Sequence, residues 1–172
     1  MILAAGELEI EVRPGTADDV PLLLSFIRSM AKFEKLEVHA TEEILGDSLF
    51  GDRPAADTLL AFVDGRPAAY VVYFFSFATM VGKHGLWLDD LYVDPDFRGK
   101  GIAAALMSYL ASLAVQKGCA RFEWMVLGWN ASAIDFYEGM GATVLEDWRI
   151  CRLDGERLAG VAERLEIIDS EG

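Results

Sequence analysis

Leu86–Leu106, LWLDDLYVDPDFRGKGIAAAL, is the stretch from which the rest of the chain can be read. Gly85 to Val93 predicts a strand whose alternation puts Trp87, Asp89, Leu91 and Val93 on one face and Leu88, Asp90 and Tyr92 on the other. After a short acidic turn, Arg98-Gly99-Lys100-Gly101-Ile102-Ala103 opens a helix. Its apolar stripe is Ile102, Leu106, Leu110 and Leu113, and Gly118 ends it. A strand that passes through glycines into a helix start forms an anion receptor. The first helical N–H groups lack intrahelical acceptors, and the helix dipole adds positive charge there. Gly99 and Gly101 remove the side chains that would hold an anion away from that backbone.

Outside this segment, 172 residues and 53% hydrophobic content predict one folded domain over 1–172, its core running from about residue 8 to 165. No apolar run reaches the roughly 18 residues of a membrane span. The densest, Ala68–Val81, reads as core strand, and Met1–Arg13 reads as a leader into the first strand rather than a signal peptide. A net charge of −13 disfavours a nucleic-acid partner and favours cationic small molecules. Cys119 and Cys151 form no CxxC and are expected as buried free thiols in a reducing, cytoplasmic compartment. His39 and His84 lie far apart without ligand spacing, so no metal site is expected.

Leu8–Arg13 alternates as a half-buried strand. Thr16 and Asp19 resemble a capping box ahead of a helix carrying Val20, Leu23, Leu24, Ile27 and Ala31. Thr41 begins a second helix with Glu42 and Glu43 in its first turn. Thr58–Val63, Asp64-Gly65 and Arg66–Phe77 form a hairpin signature. Ala120–Leu127 predicts a strand, Ala131–Met140 a helix capped by Asn130, and Thr143–Leu153 a further strand. A short helix from Gly155 to about Arg164 follows, after which the last residues are expected to fray. The order indicates an α/β or α+β domain, its sheet largely antiparallel with one βαβ unit in the second half.

The element order and the loop resemble the GNAT superfamily of acetyl-CoA-dependent N-acetyltransferases, whose Gln/Arg-x-x-Gly-x-Gly/Ala signature is met by Arg98, Gly101 and Ala103. The likeness is closest to the diamine acetyltransferase branch. It rests on Ala31-Lys32-Phe33-Glu34, Asp89-Asp90, Trp129-Asn130 through Tyr137, Gly141-Ala142 and Trp148-Arg149. The resemblance implies a GNAT fold, in which a mixed, mostly antiparallel sheet splays at the acetyl-CoA site. It also implies a homodimer, with Trp148–Leu153 as a candidate interface.

On this analogy, backbone N–H groups of Gly99, Lys100, Gly101, Ile102, Ala103 and Ala104, together with Arg98, hold the pyrophosphate. Leu91, Tyr92 and Val93 pair with the pantetheine arm, and Asn130, Ala131, Ser132 and Ala133 contact it, Asn130 serving also as a helix cap. Tyr137 is the expected donor to the departing thiolate and touches the cofactor as well. Asp89 is the candidate base or electrostatic partner, shorter than the glutamate of the diamine enzymes and acting through water. Asp90 is expected on the opposite face, in a structural role.

Phe33, Glu34, Asp89, Glu123, Trp124 and Met125 are candidates for the acceptor side. Glu34 and Glu37 also read as an exposed acidic helix end. Ala78-Thr79-Met80 replaces an acidic residue and a tryptophan of the polyamine enzymes, so a shorter diamine or a lysine-like amino acid fits as well as a polyamine. Two other functions share these features. One is a degenerate acyl-CoA-binding domain, the other an acetyltransferase acting on protein termini or lysines.

Overall fold

Six strands form one sheet in chain order: β1 (Ile2–Ala5), β2 (Leu8–Pro14), β3 (Asp57–Val63), β4 (Arg66–Ala78), β5 (Lys83–Val93) and β6 (Phe122–Trp124). Neighbours are antiparallel except β5 and β6, which are parallel as a helical crossover requires. The helices are α1 (Val20–Glu34), α2 (Glu42–Phe50), α3 (Ile102–Gln116), α4 (Ala131–Gly139) and α5 (Gly155–Ala162). This computed structural model describes residues 1–165. They form two compact units, Met1–Met125 with the sheet and α1–α3, and the residues from Val126 on with α4 and α5. The predicted fraying of the last residues lies outside the described ones.

Asp64 (φ 51°) and Gly65 (φ 72°) make the tight turn that their sequence predicts and join the two central strands β3 and β4. One sheet face packs under α1, where Leu23 and Phe26 meet Leu60, Tyr70, Val72 and Tyr92. Phe26 and Tyr70 stack with centroids 5.7 Å apart. Burial of each such side chain contributes about 1.5–3 kcal/mol. The other face carries Ile10, Val12, Leu59, Ala61 and Val71, all buried. Helix α3 covers it with Ile102, Leu106, Met107, Leu110 and Ala114, while Leu113 of the expected stripe is only half-buried.

Four expectations are corrected here. Ile2–Ala5 is no mere leader but an edge strand paired with β2, Gly6 supplying the left-handed turn residue at φ 64°. Residues 143–153 adopt no strand, and the strand predicted over Ala120–Leu127 shrinks to Phe122–Trp124. Cys119 is half-buried and Cys151 exposed, both free.

The α1 entrance is held by a short ion pair. The Asp19 carboxylate accepts from both terminal nitrogens of Arg13 at 2.7 Å and from the Thr16 N–H and hydroxyl at 2.9 Å. Arg13 thus joins the capping arrangement that Thr16 and Asp19 predict. These bonds, Arg13 first, hold the Asp19 carboxyl down at about 2. A lowered carboxyl stabilises the fold above its unfolded pKa, and that stability disappears as pH falls toward 2. Arg13 is partly exposed, so the contribution is on the order of 2 kcal/mol or less. Asp19→Asn is therefore expected to lower the urea midpoint at pH 7. Its gap from the parent should close between pH 4 and 2, and a gap independent of pH would refute this account.

Candidate active site

The geometry that organises the site is a β-bulge within the Asp89-Asp90 pair. Val72 of β4 opposes Asp90 while Tyr73 opposes Leu88, so Asp89 is the extra residue. The alternation predicted for this strand therefore fails at Asp89. Trp87, Asp90 and Tyr92 share the α1 face, opposite Phe74, Val72 and Tyr70, whereas Leu86, Leu88 and Leu91 share the α3 face. On its outer side β5 pairs with β6 only through Leu86, Trp87 and Leu88. From Asp89 to Val93 that edge has no partner strand among the described residues, which leaves its main-chain groups, apart from the Val93 carbonyl that Arg98 holds, open to an extended ligand.

The open edge runs into the glycine loop. A 3-10 turn over Pro95–Phe97 is capped by Asp94, whose carboxylate accepts from the Asp96 N–H at 3.0 Å. Gly99 (φ 72°) and Gly101 (φ 81°) then take left-handed conformations that L side chains rarely adopt. The first bond into α3 here runs from the Ala105 N–H to the Gly101 carbonyl at 3.0 Å. The N–H groups of Ile102, Ala103 and Ala104 ahead of it have no helical acceptor. A Cβ added at Gly99 meets nothing within 4 Å, so space lies open in front of this backbone. These features fit a diphosphate-bearing cofactor with an extended arm.

The loop's two cations secure it from behind. Arg98 Nε donates to the Val93 carbonyl at 3.0 Å, and its guanidinium lies 5.1 Å from the Phe33 ring and 5.5 Å from that of Tyr92. Lys100 Nζ donates to the Asp96 carbonyl at 2.9 Å and sits 5.2 Å from the Phe97 ring. The candidate residues Phe33, Tyr92, Val93 and Arg98 thus come together in one contact between α1, β5 and the loop.

On the α1 face, the Tyr70 hydroxyl donates to Asp90 Oδ2 at 3.2 Å and lies 3.5 Å from Met30 Sδ. Tyr70 is fully buried, and its phenol is pushed far up by burial and by the nearby carboxylates. Burial, then Asp89, then Glu34 push the Asp90 carboxyl up to about 6, against the Tyr70 bond. Burial also raises Glu34. Glu34 and Met30 line a cavity of about 250 Å³ with Ile27, Ala31, Leu36 and Val38. Tyr70 and Met30 escape sequence reasoning. The signal that was available is the acidic doublet itself, since two adjacent carboxylates inside an apolar strand interrupt its alternation.

Among the other candidates, Glu123 is paired with Arg121 at 2.6 Å, Trp124 packs on Phe122 at 4.9 Å between centroids, and Met125 is exposed. Asn130, Ala131, Ser132, Ala133 and Tyr137 belong to the second unit. There Asn130 Oδ1 accepts from the Ala133 N–H at 3.3 Å as the predicted cap of α4, and Tyr137 lies within the helix. Among the described residues no group of three or more His, Cys, Asp or Glu side chains could hold a metal, and no helix is long and apolar enough to cross a membrane.

The site is thus an open β5 edge of a mixed sheet that leads into a helix N-terminus. Residues 25–142 match the model of the acetyltransferase (GNAT) family, and the chain belongs to that family. It is 34% identical over 164 residues to thialysine N-epsilon-acetyltransferase of Sus scrofa, covering 88% of this chain and 96% of the relative. It is 30% identical over 198 residues to an L-ornithine N5-acetyltransferase of Arabidopsis thaliana, covering 87% and 86%. An integron cassette protein from the mobile metagenome of V. cholerae shares the fold, with a TM-score of 0.76 at 24% identity over 90% of this chain and 98% of that one. The protein is thus an N-acetyltransferase of the GNAT type.

Proposed function

We propose that this enzyme moves the acetyl group of acetyl-CoA to a primary amine of a small cationic molecule, by direct attack in a ternary complex. The diamine, polyamine and lysine-like amino acid classes are the acceptors considered. The observation that carries the reading is the unpaired edge from Asp89 to Val93. It begins at carboxylates and ends at the glycine loop. The named activities of the thialysine and ornithine relatives favour a side-chain amine of an amino acid.

Acetyl-CoA supplies an activated acyl group on a thiol that leaves. Backbone N–H groups of Gly99–Ala104 hold its diphosphate, with Arg98 and Lys100 fixing the loop from behind. Leu91–Val93 bind the arm through the main chain, and Asn130–Ala133 contact it from α4. Glu34, Asp89 and Asp90 attract the ammonium form of the acceptor, the prevalent form of an alkylamine near neutral pH. Phe33, Glu123, Trp124 and Met125 complete the acceptor side, and Tyr137 donates to the departing sulfur. Direct attack needs no acetyl-enzyme, so this reading gives Cys119 no covalent role.

The test is thiol release from acetyl-CoA with a panel of diamines, polyamines, lysine, ornithine and thialysine, with the acetylated product identified by mass. Turnover on small amines is the expected result. Cofactor binding without turnover on any amine would support a degenerate binding domain instead, and turnover on peptides alone a protein acetyltransferase.

We further propose that the enzyme is a homodimer of the cytoplasm. Leu145, Trp148, Ile150 and Leu153 are 56%, 79%, 65% and 51% exposed, an unusual density of bare apolar surface for one short segment. Two free thiols suit a reducing compartment. Light scattering should give twice the chain mass, and Trp148→Glu should halve it. A monomeric parent protein would remove the dimer.

A further inference from the structure

The bulge at Asp89 separates two carboxylates that a regular strand would have placed on opposite faces in fixed alternation. Asp89 is exposed, and water screens it well. Asp90 is half-buried on the α1 face, at the point where the open edge of β5 begins. Its Oδ2 is taken by the hydroxyl of Tyr70, a side chain with no solvent exposure, so the carboxylate is fixed in orientation with Oδ1 left for a second donor. The same hydroxyl touches Met30, and Met30 lines the α1 cavity together with Glu34. Glu34 is also near enough to act on Asp90 electrostatically.

We propose that Asp90, oriented by Tyr70, is the group that takes the proton from the acceptor's ammonium, and that Asp89 only attracts the cation. The proposal rests on the acetyl-transfer reading above. One N–H proton passes to Asp90 Oδ1 and then to water, leaving the nitrogen lone pair free. As the C–N bond forms and the C–S bond breaks, the nitrogen sheds a second proton, which balances the one taken up by the departing sulfur.

The charged and titratable groups acting on Asp90 are Tyr70 from β4, Glu34 from α1 and Asp89 from its own strand, with Arg98 over the ring of Tyr92 two residues on. Burial and the two carboxylates raise Asp90 to about 6, which makes it a better proton acceptor near neutral pH than an ordinary carboxylate.

The experiment measures kcat/KM against pH for the parent enzyme and four variants, on whichever amine the panel identifies. Parent turnover comes first, so failure of the acetyl-transfer reading is seen before any variant is made. The parent should show an acidic limb near pH 6. Asp90→Asn should lose about 10²–10³-fold in kcat and the limb with it, while still binding acetyl-CoA. Asp89→Asn should be weakened mainly in amine KM and keep the limb, moved to lower pH because a neighbouring negative charge is gone. Tyr70→Phe removes a bond that favours the charged carboxylate, so the limb should move to higher pH. Glu34→Gln removes a neighbouring negative charge, so it should move to lower pH. A purely structural role for Tyr70 or Glu34 would lower activity without these opposite shifts. An Asp90→Asn enzyme that keeps the limb, or an Asp89→Asn enzyme that loses it, overturns the proposal.

Discussion

Tyr137→Phe is expected to lower kcat by about 10²–10³-fold while leaving acetyl-CoA affinity within about twofold. Tyr137 lies in α4, which is capped by Asn130, and its ring packs 5.2 Å from that of Phe136. Phenylalanine keeps the ring and that packing. What it removes is one hydroxyl, whose proposed work begins only when the thiolate departs. Model thiols and phenols titrate near 8.5 and 10, close enough for a phenol to share its proton with a leaving sulfur. An interaction made only at that stage changes kcat and kcat/KM together and leaves ground-state binding alone. Single-turnover acetyl transfer with saturating acetyl-CoA measures this directly. A rate within twofold of the parent would remove Tyr137 from the chemistry.

What could be read from the chain follows from how local each signal is. The Asp64-Gly65 turn, the Thr41 and Asn130 caps and the positive-φ glycines are written in adjacent residues, and the fold contains them. Strict alternation pairs Asp90 and Tyr92 with Leu88 rather than with Trp87, because it assumes one residue for one residue and the bulge breaks that count. Tyr70 carries no local signal, because its partner lies twenty positions away and only the β4–β5 register brings them together. The same holds for Arg98, whose contact with Phe33 joins the loop to a helix end far upstream. Strand β1 offers too little pattern to be told from a leader, being four residues at an edge. Residues 143–153 alternate well enough to suggest a strand, but a strand needs a ladder, and these residues have none. The backbone of the glycine loop is therefore legible in the sequence, whereas the face on which Asp90 lies depends on tertiary register.

Gly101→Val is expected to weaken acetyl-CoA binding at least 100-fold, on the order of 3 kcal/mol, and to lower the melting temperature by several degrees. Two independent effects act at this position. The backbone sits at φ 81°, which costs an L residue about 1–2 kcal/mol and a β-branched one more. A Cβ there would also lie 3.1 Å from Ala5 Cβ, so valine's two further carbons must displace either the end of β1 or the first turn of α3. Either movement re-aims the Ile102–Ala104 N–H groups that this site offers to a diphosphate. Gly99→Ala provides the comparison. It bears similar backbone strain at φ 72° but meets open space, so it should lose stability with a smaller loss of affinity. Combining Gly101→Ala with Ala5→Gly separates the two effects, because it removes the Cβ–Cβ contact and keeps the strain. Titration calorimetry with acetyl-CoA should show the double variant binding more tightly than Gly101→Ala alone, a coupling that residues without contact would not give. Full acetyl-CoA affinity in Gly101→Val would mean that the cofactor is held elsewhere.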